Sequence, residues 1–216
     1  MKLLKHATLI LCMTVSGCSM FGGDKVSKAE PVPEEPKVDL AWLDDYEPRL
    51  RDALKDSRFE LERRDALLVV TAPVDASFNP DRPGMLLPAT LGPLSRVAKM
   101  VENDSKTAVV VLGHADSTGA EEANRVLSRE RAGAVAAIFR LSGLKTDRLL
   151  IRGLGSDMPR AANDSSEGRA LNRRVEMVLA PQSTMQALIA QYSRPAVAAP
   201  AAAAPTQVAA TEVATK

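Results

Sequence analysis

The chain has 216 residues, with 28 Lys and Arg against 27 Asp and Glu, a formal net charge of +1. That balance gives no basic surplus to set against phosphates, so nucleic acid is not an expected partner. A hydrophobic content of 45% at this length supports one well-formed core rather than a chain too polar to fold.

The first segment reads as a processing signal. Lys2 and Lys5 form a basic start, Ala7 to Val15 is mostly apolar, and Ser16 and Gly17 are small residues before Cys18. The apolar run is far shorter than the roughly 20 residues a membrane-spanning helix needs. Val15-Ser16-Gly17-Cys18 resembles the lipobox of bacterial lipoproteins. The resemblance implies that residues 1–17 are removed and that Cys18 carries the acyl chains, which give stable anchoring when there are two or more. Ser19 rather than Asp follows, which by the same resemblance implies the outer membrane. Processing also removes Cys12 and His6, leaving one acylated cysteine and His114. No intramolecular disulfide, and no four-ligand Cys/His zinc site, is then expected.

Residues 18–39 contain Pro31, Pro33 and Pro36 among Gly, Lys and Glu and read as a flexible tether. Leu43, Tyr46, Leu50 and Leu54 predict a helix over about 40–55, interrupted by Pro48. Phe59 with Leu61, and Leu67 to Thr71, predict two strands joined by a turn at Arg64-Asp65. These place a helix and strand extension at 40–66, ahead of a domain at 67–180. Pro80, Pro83, Gly84 and Pro88 predict loop over 75–88. Leu87, Leu91, Leu94, Ala98 and Val101 predict the buried stripe of a helix, with Pro93 tolerable near its first turn.

Thr107 to Leu112 predicts a strand covered on both faces. A helix over 120–140 follows, expected to bury Ala123, Leu127, Ala134 and Ile138, with Gly143 ending that region. Leu149 to Arg152 predicts a strand, 157–168 a polar loop, and Asn172 the start of a last strand through Leu179. A short helix is expected over 181–192 and a disordered Ala/Pro-rich tail over 193–216. The core order, strand–helix–strand–helix–strand–strand, predicts an α/β fold: a two-layer sandwich with helices packed on a mixed sheet.

The chemistry concentrates at Gly113-His-Ala-Asp-Ser-Thr-Gly119 and the helix after it. Asp116 follows a strand end, where ligands of α/β sheets commonly lie. It can accept an ammonium, or simply tighten the turn into the helix. Arg131 shares a helical face with Asn124, Ser128 and Val135, so it is not on the most solvated side and needs a carboxylate. It either pairs with Asp116 as a structural bridge or stands apart and takes a ligand carboxylate in a bidentate pair. Asn124 either completes the site with its amide or holds the loop.

These residues carry a resemblance. The run 113–119, then Asn124-x-x-Leu127-Ser128-x-x-Arg131-Ala132-x-x-Val135, is similar to the peptidoglycan-binding domain of the OmpA family. Gly153-Leu-Gly155, Pro159, Asn163, Gly168-Arg169 and Asn172-Arg173-Arg174-Val175-Glu176 resemble its C-terminal signature, and Phe78 with Leu87, Leu91 and Leu94 its first strand–helix passage. The resemblance implies non-covalent, non-catalytic binding of a peptidoglycan stem peptide without cofactor or metal. It implies that Asp116 and Arg131 grip the free amine and carboxylate of diaminopimelate, that Asn124 and Leu127 shape the pocket, and that Arg174 lines or supports it.

Ala115 replaces the usual threonine of the motif, and the proline-rich loop over 75–86 departs from it. His114, with Gly113 and Gly119 punctuating the same loop, is expected to order the loop by hydrogen bonds rather than to serve as a catalytic base, since no nucleophile elbow accompanies it. A second functional reading is an envelope scaffold that recruits a protein partner through residues 40–66 or the C-terminal tail.

Overall fold

The structure, a computed structural model, describes residues 40–193. The signal, Cys18 with its tether, and the tail beyond 193 lie outside the described residues. The fold begins with helix α1 (Leu40–Ala53), whose Leu43, Tyr46, Leu50 and Ala53 recur at helical spacing and are buried. Pro48 lies on its exposed side, where the loss of one helix hydrogen bond is least costly. Trp42 stacks on Tyr46 at 4.9 Å and donates through Nε1 to Thr107 Oγ1 at 2.9 Å, tying α1 to the sheet.

Strands β1 (Glu60–Arg64) and β2 (Leu67–Pro73) form a hairpin, with Asp65 at φ 50° in its turn. After a single helical turn, α2 (Val74–Ser77), come α3 (Pro88–Asn103), β3 (Thr107–Gly113), α4 (Glu121–Leu141), β4 (Leu149–Gly153), α5 (Ser166–Asn172), β5 (Arg174–Pro181) and α6 (Met185–Ser193). The sheet order is β1-β2-β5-β3-β4, mixed because β3 and β4 are parallel and all other pairs antiparallel.

Alternation divides the central strands between two faces. Val70, Val109, Val111, Val175, Met177 and Leu179 face the core shared with α1, α3 and α4. Val69, Ala108, Val110, Val178 and Ala180 face the reverse side, where Met185 and Leu188 of α6 cover them. The architecture is therefore the expected two-layer α/β sandwich, with one short helix added behind the sheet. Residues 40–66 belong to it, as α1 and the edge strand β1.

Three expectations need correction. On α3 the buried stripe is Leu94, Val97, Ala98 and Val101; Leu91 is 40% exposed, and Leu87 precedes the helix at its N-cap. On α4 the buried face is Asn124, Ser128, Arg131, Ala132, Val135, Ala136 and Phe139, whereas Ala123 is exposed and Leu127, Ala134 and Ile138 are only partly covered. The cause is close backbone approach. A Cβ on Gly113 would stand 1.9 Å from the Ser128 carbonyl oxygen, and one on Gly153 would stand 2.5 Å from the Arg129 nitrogen. The helix therefore presents small or polar residues where the two strands meet it, and a count of apolar residues alone selects the wrong phase.

Third, α5 replaces the end of the expected loop, and Asn172 closes that helix instead of opening β5. Ser165 caps α5, its Oγ accepting from the Gly168 nitrogen at 3.0 Å. Asn172 turns its side chain back, accepting from the Arg160 and Ala161 nitrogens and donating to the Ala161 carbonyl. No helix among the described residues is long and apolar enough to cross a membrane.

Candidate functional site

Topology brings the charged residues together. Strands β2 and β3 both run antiparallel to β5, so their carboxyl ends meet the amino end of β5 at one end of the sheet. Pro73 pairs with Arg174 and Gly113 with Val175, which places Asp75, Asp116 and Arg173 within three residues of paired positions. Helix α4, drawn down onto Gly113, adds Arg131 from above.

The loop after β3 is fastened along its length. The His114 nitrogen donates to the Arg174 carbonyl at 2.9 Å, and the Ala115 nitrogen to the Gly155 carbonyl at 2.8 Å. Asn124 Nδ2 donates to the carbonyls of Asp116 and Thr118 at 3.1 and 3.0 Å. Of its two expected roles, Asn124 is thus seen holding the loop. Gly119 supplies the positive φ, 87°, at which the chain turns toward α4.

Asp116 is 8% exposed. Its Oδ1 accepts from the Thr118 nitrogen at 2.9 Å and its Oδ2 from Arg173 Nη1 at 2.8 Å. Burial pushes the carboxyl up, but the hydrogen bonds from Arg173 and Thr118 outweigh it and hold the group below its ordinary range. Arg173 is the hub: its Nε and Nη2 also take Asp75 in a bidentate pair at 3.1 and 2.7 Å. Those carboxylates, Asp75 foremost, raise the guanidinium above its ordinary value.

Arg131 does not pair with Asp116. Its Nε donates to the Pro83 carbonyl at 3.0 Å and its guanidinium carbon lies 5.9 Å from the centre of the Phe78 ring. It is 7% exposed and has no carboxylate partner among the described residues. Burial lowers its pKa, the like charge of Arg173 lowers it further, and Asp75 and Asp116 act in the opposite sense. Arg131 and Arg173 both line a cavity of about 250 Å³. Val74, Phe78, Pro80 and Pro83 form its apolar walls, and Asp75 and Asn79 complete the lining. The proline-rich loop is therefore part of the cavity wall, and through the Pro83 carbonyl it orients the free guanidinium. Such a cavity can take a carboxylate at Arg131 and a cation near Asp75.

Other expected site residues lie elsewhere. Arg174 does not line the cavity. It is buried, donating to Glu176 Oε1 at 2.8 Å and to the carbonyls of Asn172 and Met158. Because strand residues alternate between faces, the second arginine of the Arg173-Arg174 pair goes behind the sheet and the first stays at its end. Leu127 is half-buried and outside the lining. His114 orders the loop through its backbone only. Its ring is 2% exposed, both nitrogens are enclosed without a hydrogen bond among the described residues, and Nε2 stands 3.9 Å from Glu176. Burial, aided by the Arg174 charge, brings its pKa down to about 3.

The sequence reading had the loop over 75–86, with Pro80 and Pro83, as a segment that can border the site, and the cavity lining agrees; it gave no individual role to Asp75, and named Arg173 only as part of the C-terminal signature. Asp75 had a signal: like Asp116, it follows directly on the carboxyl end of a strand. A larger, shallow depression of about 490 Å³ along the outer side of α1 is bordered by Asp44, Glu47, Arg51 and Lys55 and holds no buried charge.

The fold and this end of the sheet define a class, a two-layer α/β domain with a charged cleft where strand ends and a helix face converge. The chain belongs to the OmpA family, whose model matches residues 78–173. It is 35% identical over 140 residues to the probable lipoprotein YiaD of Escherichia coli, a match covering 65% of this chain and 64% of that one, under two thirds of the relative's length. It is 33% identical to the outer-membrane lipoprotein YfiB of Pseudomonas aeruginosa, covering 58% of this chain and 73% of that one. It is 42% identical to the peptidoglycan-binding protein ArfA of Mycobacterium tuberculosis over 94 residues, 44% of this chain and 29% of that one. Among solved structures, the cell wall anchor of the T6SS from Pseudomonas aeruginosa aligns with a TM-score of 0.51 at 27% identity, over 68% of this chain and 99% of that one.

Proposed function

We propose that this chain binds peptidoglycan without cleaving it, by gripping the zwitterionic end of diaminopimelate in a stem peptide, while acylated Cys18 holds it to the outer membrane. The observation that carries the reading is Arg131: a buried guanidinium, oriented by Pro83 and Phe78, that lines a cavity and has no carboxylate partner among the described residues. A buried cation without a counter-charge is costly, and a ligand carboxylate relieves that cost. Relatives named as a peptidoglycan-binding protein and as outer-membrane or probable lipoproteins support the same reading.

Binding without catalysis is the chemistry these residues favour. His114 is enclosed, and the Ser128 hydroxyl is spent donating to the Arg125 carbonyl and accepting from the Gly155 nitrogen. Neither is placed as a base or a nucleophile with access to a ligand. The test is co-sedimentation of the full chain with purified sacculi. Saturable binding, lost when an amidase strips the stem peptides from the glycan, is expected; equal binding to stripped glycan overturns the reading, as does release of soluble muropeptides.

A further inference from the structure

The end of the sheet opposite the cleft carries a surface of its own. The ends of several elements meet there, around the start of β3. Trp42, in the first turn of α1, donates to Thr107. Arg148, just before β4, donates to the carbonyls of Val101 in the last turn of α3 and of Thr107, at 3.1 and 3.0 Å. Gly143, just past α4, lies where an added Cβ would stand 3.4 Å from Glu102 Cγ. The Gln182 nitrogen, just past β5, donates to the Lys106 carbonyl at 2.6 Å. The seven residues of β3 put this pole about 20 Å from the cleft.

Two properties set the pole apart. It holds the two most exposed large apolar side chains among the described residues, Leu141 at 83% and Leu40 at 58%. It also holds Lys106, Arg140 and Lys145, exposed cations without an ion-pair partner among the described residues. Of the carboxylates nearby, Glu102 is taken by Lys99 at 2.8 Å, and Asp104 accepts from the Lys106 nitrogen and the Thr107 hydroxyl. Asp147 is exposed and opposes the cations, which still leaves a positive surplus. Apolar side chains among unpaired cations suit a surface that meets anionic lipid. The described fold also begins here, at Leu40, so an anchor upstream is attached to this pole and not to the cleft.

We propose that this pole docks the folded domain onto anionic phospholipid headgroups, with the cleft facing away from the membrane. The proposal takes its tether from the Cys18 reading above. Residues 18–39 reach at most about 75 Å, which makes docking an intramolecular step at high effective concentration. Each basic side chain close to an anionic surface is worth about fivefold in the docked population, so three of them suffice for a tethered domain.

Trp42, the one tryptophan of the chain, reports on the pole. The acylated chain is reconstituted into vesicles of phosphatidylcholine alone, or of phosphatidylcholine and phosphatidylglycerol in equal parts. Both contain a lipid with a spin-labelled headgroup that quenches indole fluorescence. Quenching is expected to be about twofold or more stronger in the anionic vesicles, and to fall to the phosphatidylcholine level in high salt. K106E/R140E/K145E removes the difference and L141S reduces it, while both keep the wild-type melting temperature, which reports the fold. Equal wild-type quenching in the two kinds of vesicle overturns the proposal, as does a folded triple variant that still discriminates between them. The anchor reading fails separately, as a chain without acyl groups on Cys18. Co-sedimentation of that chain with the same two kinds of vesicle then decides the docking: preference for the anionic vesicles, lost in the triple variant, supports it, and no preference overturns it.

Discussion

Arg173 Nη1 stands 2.8 Å from Asp116 Oδ2, and it is this pair, not Arg131 with Asp116, that closes. Asp116, which the sequence reading left open between a bridge to Arg131 and a ligand's ammonium, thus has its partner just before β5, while the arginine of α4 has no carboxylate partner among the described residues. Arg173 joins three segments, because the same side chain holds Asp75 beyond β2.

Removing that hub leaves Asp116 nearly buried without its hydrogen-bonded counter-charge. R173A is expected to lower stability by about 1–2 kcal/mol, between the cost of breaking an exposed and a buried pair. R173K keeps the charge but loses the fork that spans both carboxylates, and is expected to fall between the two chains. Urea denaturation followed by circular dichroism measures both.

The buried His114 makes stability depend on pH. Its folded pKa is about 3 against an ordinary 6.5, so in that window the unfolded chain binds the extra proton. Stability therefore falls as pH drops from about 6.5 toward 3, at no more than about 1.4 kcal/mol per pH unit from this one group. H114Q is expected to flatten the slope between pH 6 and 4, as read from melting temperatures across that range. The carboxyls of Asp116 and Glu176, both held below their ordinary values, add a loss of the same sign at lower pH, as each is protonated.

Gly113 is where sheet and helix meet most closely. The added Cβ of G113A would lie 1.9 Å from the Ser128 carbonyl oxygen, on rigid backbone. The variant is expected to lose about 3 kcal/mol or more, because neither a strand nor a helix can give way cheaply. Thermal unfolding of the purified chain reads this directly.

The proposed membrane attachment rests on Cys18. C18S is expected to move the protein from the membrane fraction to the soluble fraction of lysed cells, and to abolish incorporation of labelled palmitate. Sacculus binding by the released chain is expected to persist, since Arg131 and the cavity it lines are untouched.

Much of the fold was legible because period and punctuation agree: the all-buried β3 run and the alternating β5 read directly as strands. Helix α5 was not, because its seven residues include Gly168, a helix-breaking residue kept where a Cβ would stand 1.9 Å from the Ala162 carbonyl oxygen. The face of α4 was misphased for a related reason: its buried side holds Asn124, Ser128 and Arg131. Of the two charged motif residues, Arg131 lines the candidate cavity and Asp116 is tied to its edge through Arg173. Which partner Asp116 takes is set by a residue 57 positions away, and Arg173 and Arg174 cannot be told apart until the start of β5 fixes their faces.

The measurement that bears most directly on the central claim is the affinity of the stem tripeptide for the wild-type chain, R131K and R131A, by calorimetry at one salt concentration. R131A is expected to lose about tenfold or more and R131K to recover part of it, with melting temperatures at or above that of the wild type once the unpaired buried charge is gone. Wild-type affinity in a folded R131A chain would contradict the account.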